Sequence, residues 1–284
     1  MRVGTITQLW RYPVKSMGGE RRESVRLTRR GIPGDRGWAA YDETRRGITG
    51  AKRLAGLRAC TARYAVEPIA GAASPEAEIT LPDGSTLSTA VADTVERLST
   101  ALARPVTLRR LGADGHQPDA RLTATDESEA ETRAAMGLLP GEPEADMSDL
   151  SGERLDTLRV GNFFDAYPIH LLTRTTLRTL AQLAPESIWD ERRFRPNLFV
   201  EAVAADGYPE LEWLNRRIRV GGAVIGATIG CPRCVMVTQP VDELPQDHRV
   251  MRTLVRETHH TAGLYAEVVE EGDVRVGDSV DLLP

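Results

Sequence analysis

Cysteine is scarce in this sequence, and long apolar runs and any excess of basic charge are missing. Three cysteines in 284 residues, Cys60, Cys231 and Cys234, are too few and too unevenly spread for a secreted disulfide framework, and an odd number leaves one thiol over in any pairing. No segment approaches the roughly 18 uninterrupted apolar residues of a membrane span. The opening Met1-Arg2-Val3-Gly4-Thr5-Ile6-Thr7 has no apolar core of a signal peptide. The expectation is a cytoplasmic protein in a reducing compartment, without a membrane partner. A net charge of -5 argues against a nucleic-acid partner, because neutralising phosphates needs a basic face. Positive charge is local instead, in Arg21-Arg22, Arg29-Arg30, Arg192-Arg193-Phe194-Arg195 and Arg216-Arg217. Each run reads as a small-anion contact or as a solvated face.

What is present suits a chain that buries its own core. Hydrophobic residues at 41% and charged residues at 27% lie far from the composition of a disordered chain, so the cysteines are not needed as staples. Residues 5–11, 23–27, 37–41, 63–66 and 77–81 read as strands between Gly, Pro and Asp turns, followed by a helix over 90–102 that Pro105 closes. Residues 113–157 are rich in Asp, Glu, Ala, Pro and Gly without a sustained period and read as a linker or insertion, a lid or a surface loop. Beyond them, leucines at 177, 180 and 183 predict a helix over 173–183. Short β-branched runs at 198–200, 217–220, 223–229 and 235–237 predict a closed or strongly bent sheet. Residues 265–269 and 274–283 read as a two-strand finish around a Glu-Gly-Asp turn.

Chemistry concentrates in Cys231-Pro232-Arg233-Cys234. A dithiol redox motif of the thioredoxin kind sits at a helix N-terminus, and no helix signal follows Cys234. Pro232 stiffens the loop, and Arg233 sets a permanent cation beside both sulfurs, which favours a thiolate and hence a nucleophile or soft-metal ligand. A structural zinc needs about four ligands, and only Cys60 and five histidines remain to supply them. Two buried thiols packing as small hydrophobes is the plain alternative.

Further segments resemble the MOSC proteins. Leu9-Trp10-Arg11-Tyr12-Pro13-Val14-Lys15-Ser16 and Gly31-Ile32-Pro33-Gly34-Asp35-Arg36-Gly37-Trp38 look like that family's N-terminal β-barrel domain. Phe194-Arg195-Pro196-Asn197-Leu198, Cys231-Pro232-Arg233-Cys234 and Val274-Arg275-Val276-Gly277-Asp278 look like its catalytic domain, in the expected order. The implied fold is α+β and β-rich: an N-terminal β-barrel-like domain over 1–112, the insertion over 113–157, and a MOSC β-barrel domain with peripheral helices over 158–284. The layout is closest to the amidoxime-reducing branch, although Val235-Met236-Val237-Thr238 stands where many of those relatives continue Thr-Thr-Val-Asp-Pro.

That resemblance implies the molybdenum cofactor, a phosphate-bearing molybdopterin that needs one soft thiolate for the metal and several cations for the phosphate. Cys234 matches the metal ligand. Lys15, Ser16, Arg36, Arg195 and Asn197 match the positions that hold the cofactor, with Arg233 beside the ligand. Taken singly, Arg36 is also a natural partner for Asp35, and Asn197 for a strand end. Asp165 falls where the family carries an aspartate near the metal, a candidate proton donor; His170 between Ile169 and Leu171 reads first as a core histidine. The implied activity is reduction of N-hydroxylated or N-oxide compounds. No iron–sulfur cluster is expected in this chain, so electrons would come from a separate donor protein such as a reductase or a ferredoxin-like protein. The alternatives are a persulfide or cofactor carrier without turnover, and a regulatory binding module that has lost the metal.

Overall fold

The computed structural model describes residues 1–112, 128–144, 163–164 and 166–284. In chain order the strands are β1 Arg2–Arg11, β2 Glu20–Arg22, β3 Ser24–Leu27, β4 Trp38–Asp42, β5 Gly47–Ile48, β6 Thr61–Tyr64, β7 Ala77–Thr80, β8 Thr86–Ser88, β9 Val106–Arg110, β10 Ile169–Thr173, β11 Leu198–Ala202, β12 Arg217–Val220, β13 Ala223–Pro232, β14 Thr261–Glu270, β15 Gly272–Arg275 and β16 Ser279–Leu282. The described helices are α1 Thr94–Ala101, α2 Glu129–Met136, α3 Arg174–Leu183, α4 Glu191–Phe194 and α5 His248–Thr258. Among the described residues no helix is long and apolar enough to cross a membrane.

A strand whose alternate residues are apolar must bury that face, and here seven such strands close on themselves. Their order is β11-β10-β14-β13-β12-β16-β1, and β1 pairs back onto β11 to complete a barrel. Ile6, Leu9, Ile169, Leu171, Leu198, Val200, Ile218, Val220, Ile225, Leu264 and Val280 fill the interior, nearly all at zero exposure. Each contributes about 1.5–3 kcal/mol by leaving water. Closure needs strong local bending, and register shifts supply it between Ile6 and Gln8 on β1 and at three places along the β13–β14 pair. Gly4 lets β1 approach β11, since a Cβ there would stand 2.6 Å from Val200 and 2.8 Å from the Glu201 carbonyl.

Next to the barrel lie two three-stranded sheets, β5-β4-β9 and β6-β7-β8. They share with α1 a second core built on Val14, Met17, Trp38, Leu57, Ile79, Leu87, Leu98 and Val106. A third core joins α3, α4 and α5 through Leu177, Leu180, Phe194, Phe199, Val250 and Leu254. α3 begins where the leucine spacing predicts it, with the Thr173 hydroxyl accepting from the Thr176 amide.

Several expectations are corrected. Residues 235–237 are not a strand: β13 ends at Pro232 and Val235–Thr238 is a short 3-10 helix with Cys234 at its N-cap. The helix expected over 90–102 starts at Thr94, because after β8 the chain turns over residues 89–93. The two-strand finish is three strands that do not pair with one another: β14 joins β13, β15 joins β3, and β16 joins β12 and β1. Inside the stretch that lacks a period, α2 forms behind a capping box, in which the Ser128 hydroxyl accepts from the Glu131 amide and Glu131 accepts from the Ser128 amide.

Candidate functional site

The loop that leaves β1 carries Lys15 and Ser16, the turn before β4 carries Arg36, and the turn between α4 and β11 carries Arg195 and Asn197. The barrel's closure of β1 against β11 brings these loops together. Three of the residues hold a left-handed backbone that side chains rarely adopt: Ser16 at φ 71, Arg36 at φ 50 and Arg195 at φ 60. Such conformations persist only where the surroundings fix them, and they gather at functional sites. Here the Ser16 hydroxyl accepts from the Ala51 amide at 2.9 Å, the Arg36 amide donates to the Tyr12 carbonyl at 2.7 Å, and the Arg195 amide caps α4 on Glu191 at 2.9 Å.

Buried positive charge dominates the electrostatics. Tyr12 lies between two guanidinium groups, Arg195 at 4.1 Å and Arg36 at 4.5 Å from its ring centre. Arg36 also pairs with Asp35. Arg195 donates to the Met17 carbonyl and is held well below the usual arginine range by burial and by repulsion from Arg36 and Arg58. Burial pushes the Tyr12 phenol up, so it stays neutral. Lys15 donates to the Phe163 carbonyl at 2.9 Å.

Lys15, Ser16, Arg36, Arg195 and Asn197 line one cavity, whose roughly 440 Å³ is partly open to solvent. Its other walls include Phe164, Tyr167, Met236 and Tyr265. Arg233 and Cys234 are not among its lining residues, and Met236, two residues along, is. Cys234 is half-buried and packs against the second core. The Arg233 guanidinium turns to the other sulfur, donating to Cys231 at 2.7 Å and to the Phe194 carbonyl at 2.7 Å. Cys231 is fully buried, and burial pushes its thiol up while Arg233 and Tyr265 oppose the shift. Asp165 lies outside the described residues.

Asn197 is engaged on every side. Its oxygen accepts from the His170 amide at 3.2 Å, and its amide donates to Asp35 at 2.9 Å and to the Trp10 carbonyl at 3.3 Å. It ties β1, β10 and the Arg36 turn into one frame. His170 is buried, with Nε2 3.2 Å from the Ala262 carbonyl, and burial with the nearby Arg233 cation drives its pKa down, so the ring is neutral. Sequence reasoning missed Arg58, an arginine 2% exposed on the 3-10 helix Ala55–Ala59, close enough to perturb Arg195. Nothing in its neighbours Leu57 and Ala59 marks it.

These residues fit an anionic cofactor. Of Arg36, Arg58, Arg195 and Arg233, only Arg36 forms an ion pair among the described residues, and the Nε atoms of Arg58 and Arg233 are buried without a partner. Among the described residues no three His, Cys, Asp or Glu side chains gather as a metal cage. One thiol beside a cluster of cations is the donor set for a metal carried by a charged organic group.

Models of known families match both halves of the chain: the MOSC N-terminal beta barrel domain over residues 3–113 and the MOSC domain over residues 159–281. Mitochondrial amidoxime reducing component 2 of Rattus norvegicus is 28% identical over 130 residues, which cover 41% of this chain and 37% of that protein. The chain thus spans little more than a third of the length of this curated relative. Among solved structures, the YUAD protein from Bacillus subtilis is 12% identical at a TM-score of 0.42, over 98% of this chain and 94% of that one. YiiM from Geobacillus stearothermophilus is 13% identical at a TM-score of 0.32, over 41% of this chain and 54% of that one. With a closed barrel in place and both family models matched in order, the chain belongs to the MOSC family and resembles the amidoxime reducing component.

Proposed function

We propose that this protein binds the molybdenum cofactor and reduces N-hydroxylated or N-oxide compounds with electrons from a separate donor protein. One observation carries the reading: a buried cluster of arginines with too few carboxylates, two of which, Arg36 and Arg195, hold left-handed backbone, beside a half-buried thiol. Such a cluster costs several kcal/mol unless an anion neutralises it. The relative named for amidoxime reduction supports the reaction class.

In this reading Lys15, Arg36 and Arg195 hold the cofactor's phosphate, and Ser16 supplies a neutral hydrogen bond. Cys234 ligates the metal, and Asp165 moves protons. Asn197 acts through the frame, keeping Asp35 and hence Arg36 in place. When bound, the cofactor would supply the chemistry for removing an oxygen atom from substrate, which would leave as water with two electrons from the donor protein and two protons. The neutral His170 imidazole stiffens the wall. A persulfide carrier needs an exposed thiolate, and Cys231 is fully buried with its thiol pushed up, which weighs against that role for Cys231.

The test is expression in a host that makes the cofactor, followed by turnover of a benzamidoxime with an added reductase. The reading predicts turnover in proportion to bound molybdenum. Full loading without turnover of amidoximes, N-hydroxyguanidines or N-oxides would leave the carrier reading standing instead.

A further inference from the structure

Two buried arginines, Arg193 and Arg58, are treated very differently by their surroundings. Arg193, at 0% exposure, is satisfied by carbonyls: Nε donates to Ile188 at 3.0 Å, Nη1 to Gln239 at 3.2 Å and Val237 at 3.4 Å, and Nη2 to Pro245 at 2.8 Å. That is an arginine serving as a structural pin. Among the described residues Arg58, at 2% exposure, makes one side-chain hydrogen bond, from Nη2 to the Arg192 carbonyl at 2.8 Å. Its Nε is buried without a partner, and among the described residues no carboxylate forms an ion pair with it. Asp242, the acid that acts on it, is committed to Arg192 at 3.0 Å. Repulsion between Arg58 and Arg195 adds to the cost of burying both, and burial lowers the Arg58 pKa to about 10, which still leaves it charged at neutral pH.

An ionised group out of water with one neutral hydrogen bond is a net cost to the fold. A fold that needed only the tie to Arg192 would obtain it from any neutral donor. Of the other groups that act on Arg58, Tyr12 and Cys234 belong to the site and Arg193 does not. We propose that Arg58, through its unpaired buried guanidinium, is an anion-binding residue that acts with Arg195 on an oxyanion of the phosphate class. This rests on the proposed function only for the oxyanion's source, which in that reading is the cofactor.

The experiment uses full-length protein from a host unable to make the cofactor, with inorganic phosphate and pyrophosphate as probes, titrated calorimetrically and by thermal melting. Arg58→Leu is expected to melt no lower than wild type without anion, because an uncompensated buried charge has gone, and to bind the better probe at least about tenfold more weakly, the loss of a charge-assisted hydrogen bond. Arg58→Lys, which keeps the charge and serves if the leucine variant does not fold, is expected to melt like wild type and to bind between the two. Unchanged affinity in either folded variant overturns the inference. So does an Arg58→Leu protein that melts several degrees lower and binds as wild type, which is the behaviour of a structural pin. So does a wild type that binds neither probe at millimolar concentration. Wild type that binds phosphate yet takes up no molybdenum in a cofactor-making host would sink the proposed function and leave Arg58 standing. Normal molybdenum in wild type and Arg58→Leu alike, with unchanged phosphate affinity, would do the reverse.

Discussion

Replacing Asn197 by alanine separates a residue that frames the site from one that only touches a ligand. The side chain is 1% exposed and joins three partners: the His170 amide, the Asp35 carboxylate and the Trp10 carbonyl. Its loss removes a hydrogen bond to a charged group, worth about 1.5–3 kcal/mol, and strands two backbone groups at about 1 kcal/mol or more each. Water entering the space recovers part of this, so the expected cost is about 3–5 kcal/mol. The assay is urea unfolding of cofactor-free protein at constant m-value. Asn197→Asp should be no better, since it sets a second carboxylate against Asp35. A loss below about 1 kcal/mol for Asn197→Ala would refute the frame, because hydrogen bonds to an absent ligand cost the empty protein nothing.

Glu210 is fully buried against the hydroxyls of Thr173 and Thr176, and burial raises its pKa above the ordinary carboxyl value of 4.5. A raised carboxyl pKa means stability that is full below about pH 4.5 and lost as pH rises towards the folded-state value. Glu210→Gln should therefore flatten the stability–pH curve above pH 4.5, and equal slopes in both proteins would contradict the assignment. A fragment of residues 158–284 lacks β1 and exposes the barrel edges of β11 and β16. It should be unfolded or aggregated by circular dichroism and sedimentation, and recovery of a cooperative melt would show that β1 is dispensable. Cys231→Ser should keep its molybdenum, because that thiol is buried on Arg233 and Tyr265. Metal loss equal to that of Cys234→Ser would give both sulfurs the same role.

Much of the site is legible in the sequence because it is written in short segments. Lys15 and Ser16, Arg36, and Arg195 with Asn197 each lie within a quoted motif, and the structure brings all five to one cavity. What joins them is not local. The closing pair sets Leu9 against Leu198, and no periodicity reports a partner that far along the chain. The same holds for Arg58, which donates to the carbonyl of Arg192, a partner far along the chain. Val235 and Val237 read as strand because β-branched residues fit a pleat, but β13 ends at Pro232 and the chain turns instead. Two helices did carry local signals: Ser128 with Glu131 is a capping box, and α5 has Val250, Met251 and Leu254 on one face behind an Asp247 cap.

The most direct test of the central claim is the molybdenum and released pterin content of wild type and Cys234→Ser, purified from a host that makes the cofactor and shown to be equally folded. The account predicts near-stoichiometric metal in wild type and its loss in Cys234→Ser. Metal absent from both, or retained in full by the serine variant, would contradict it.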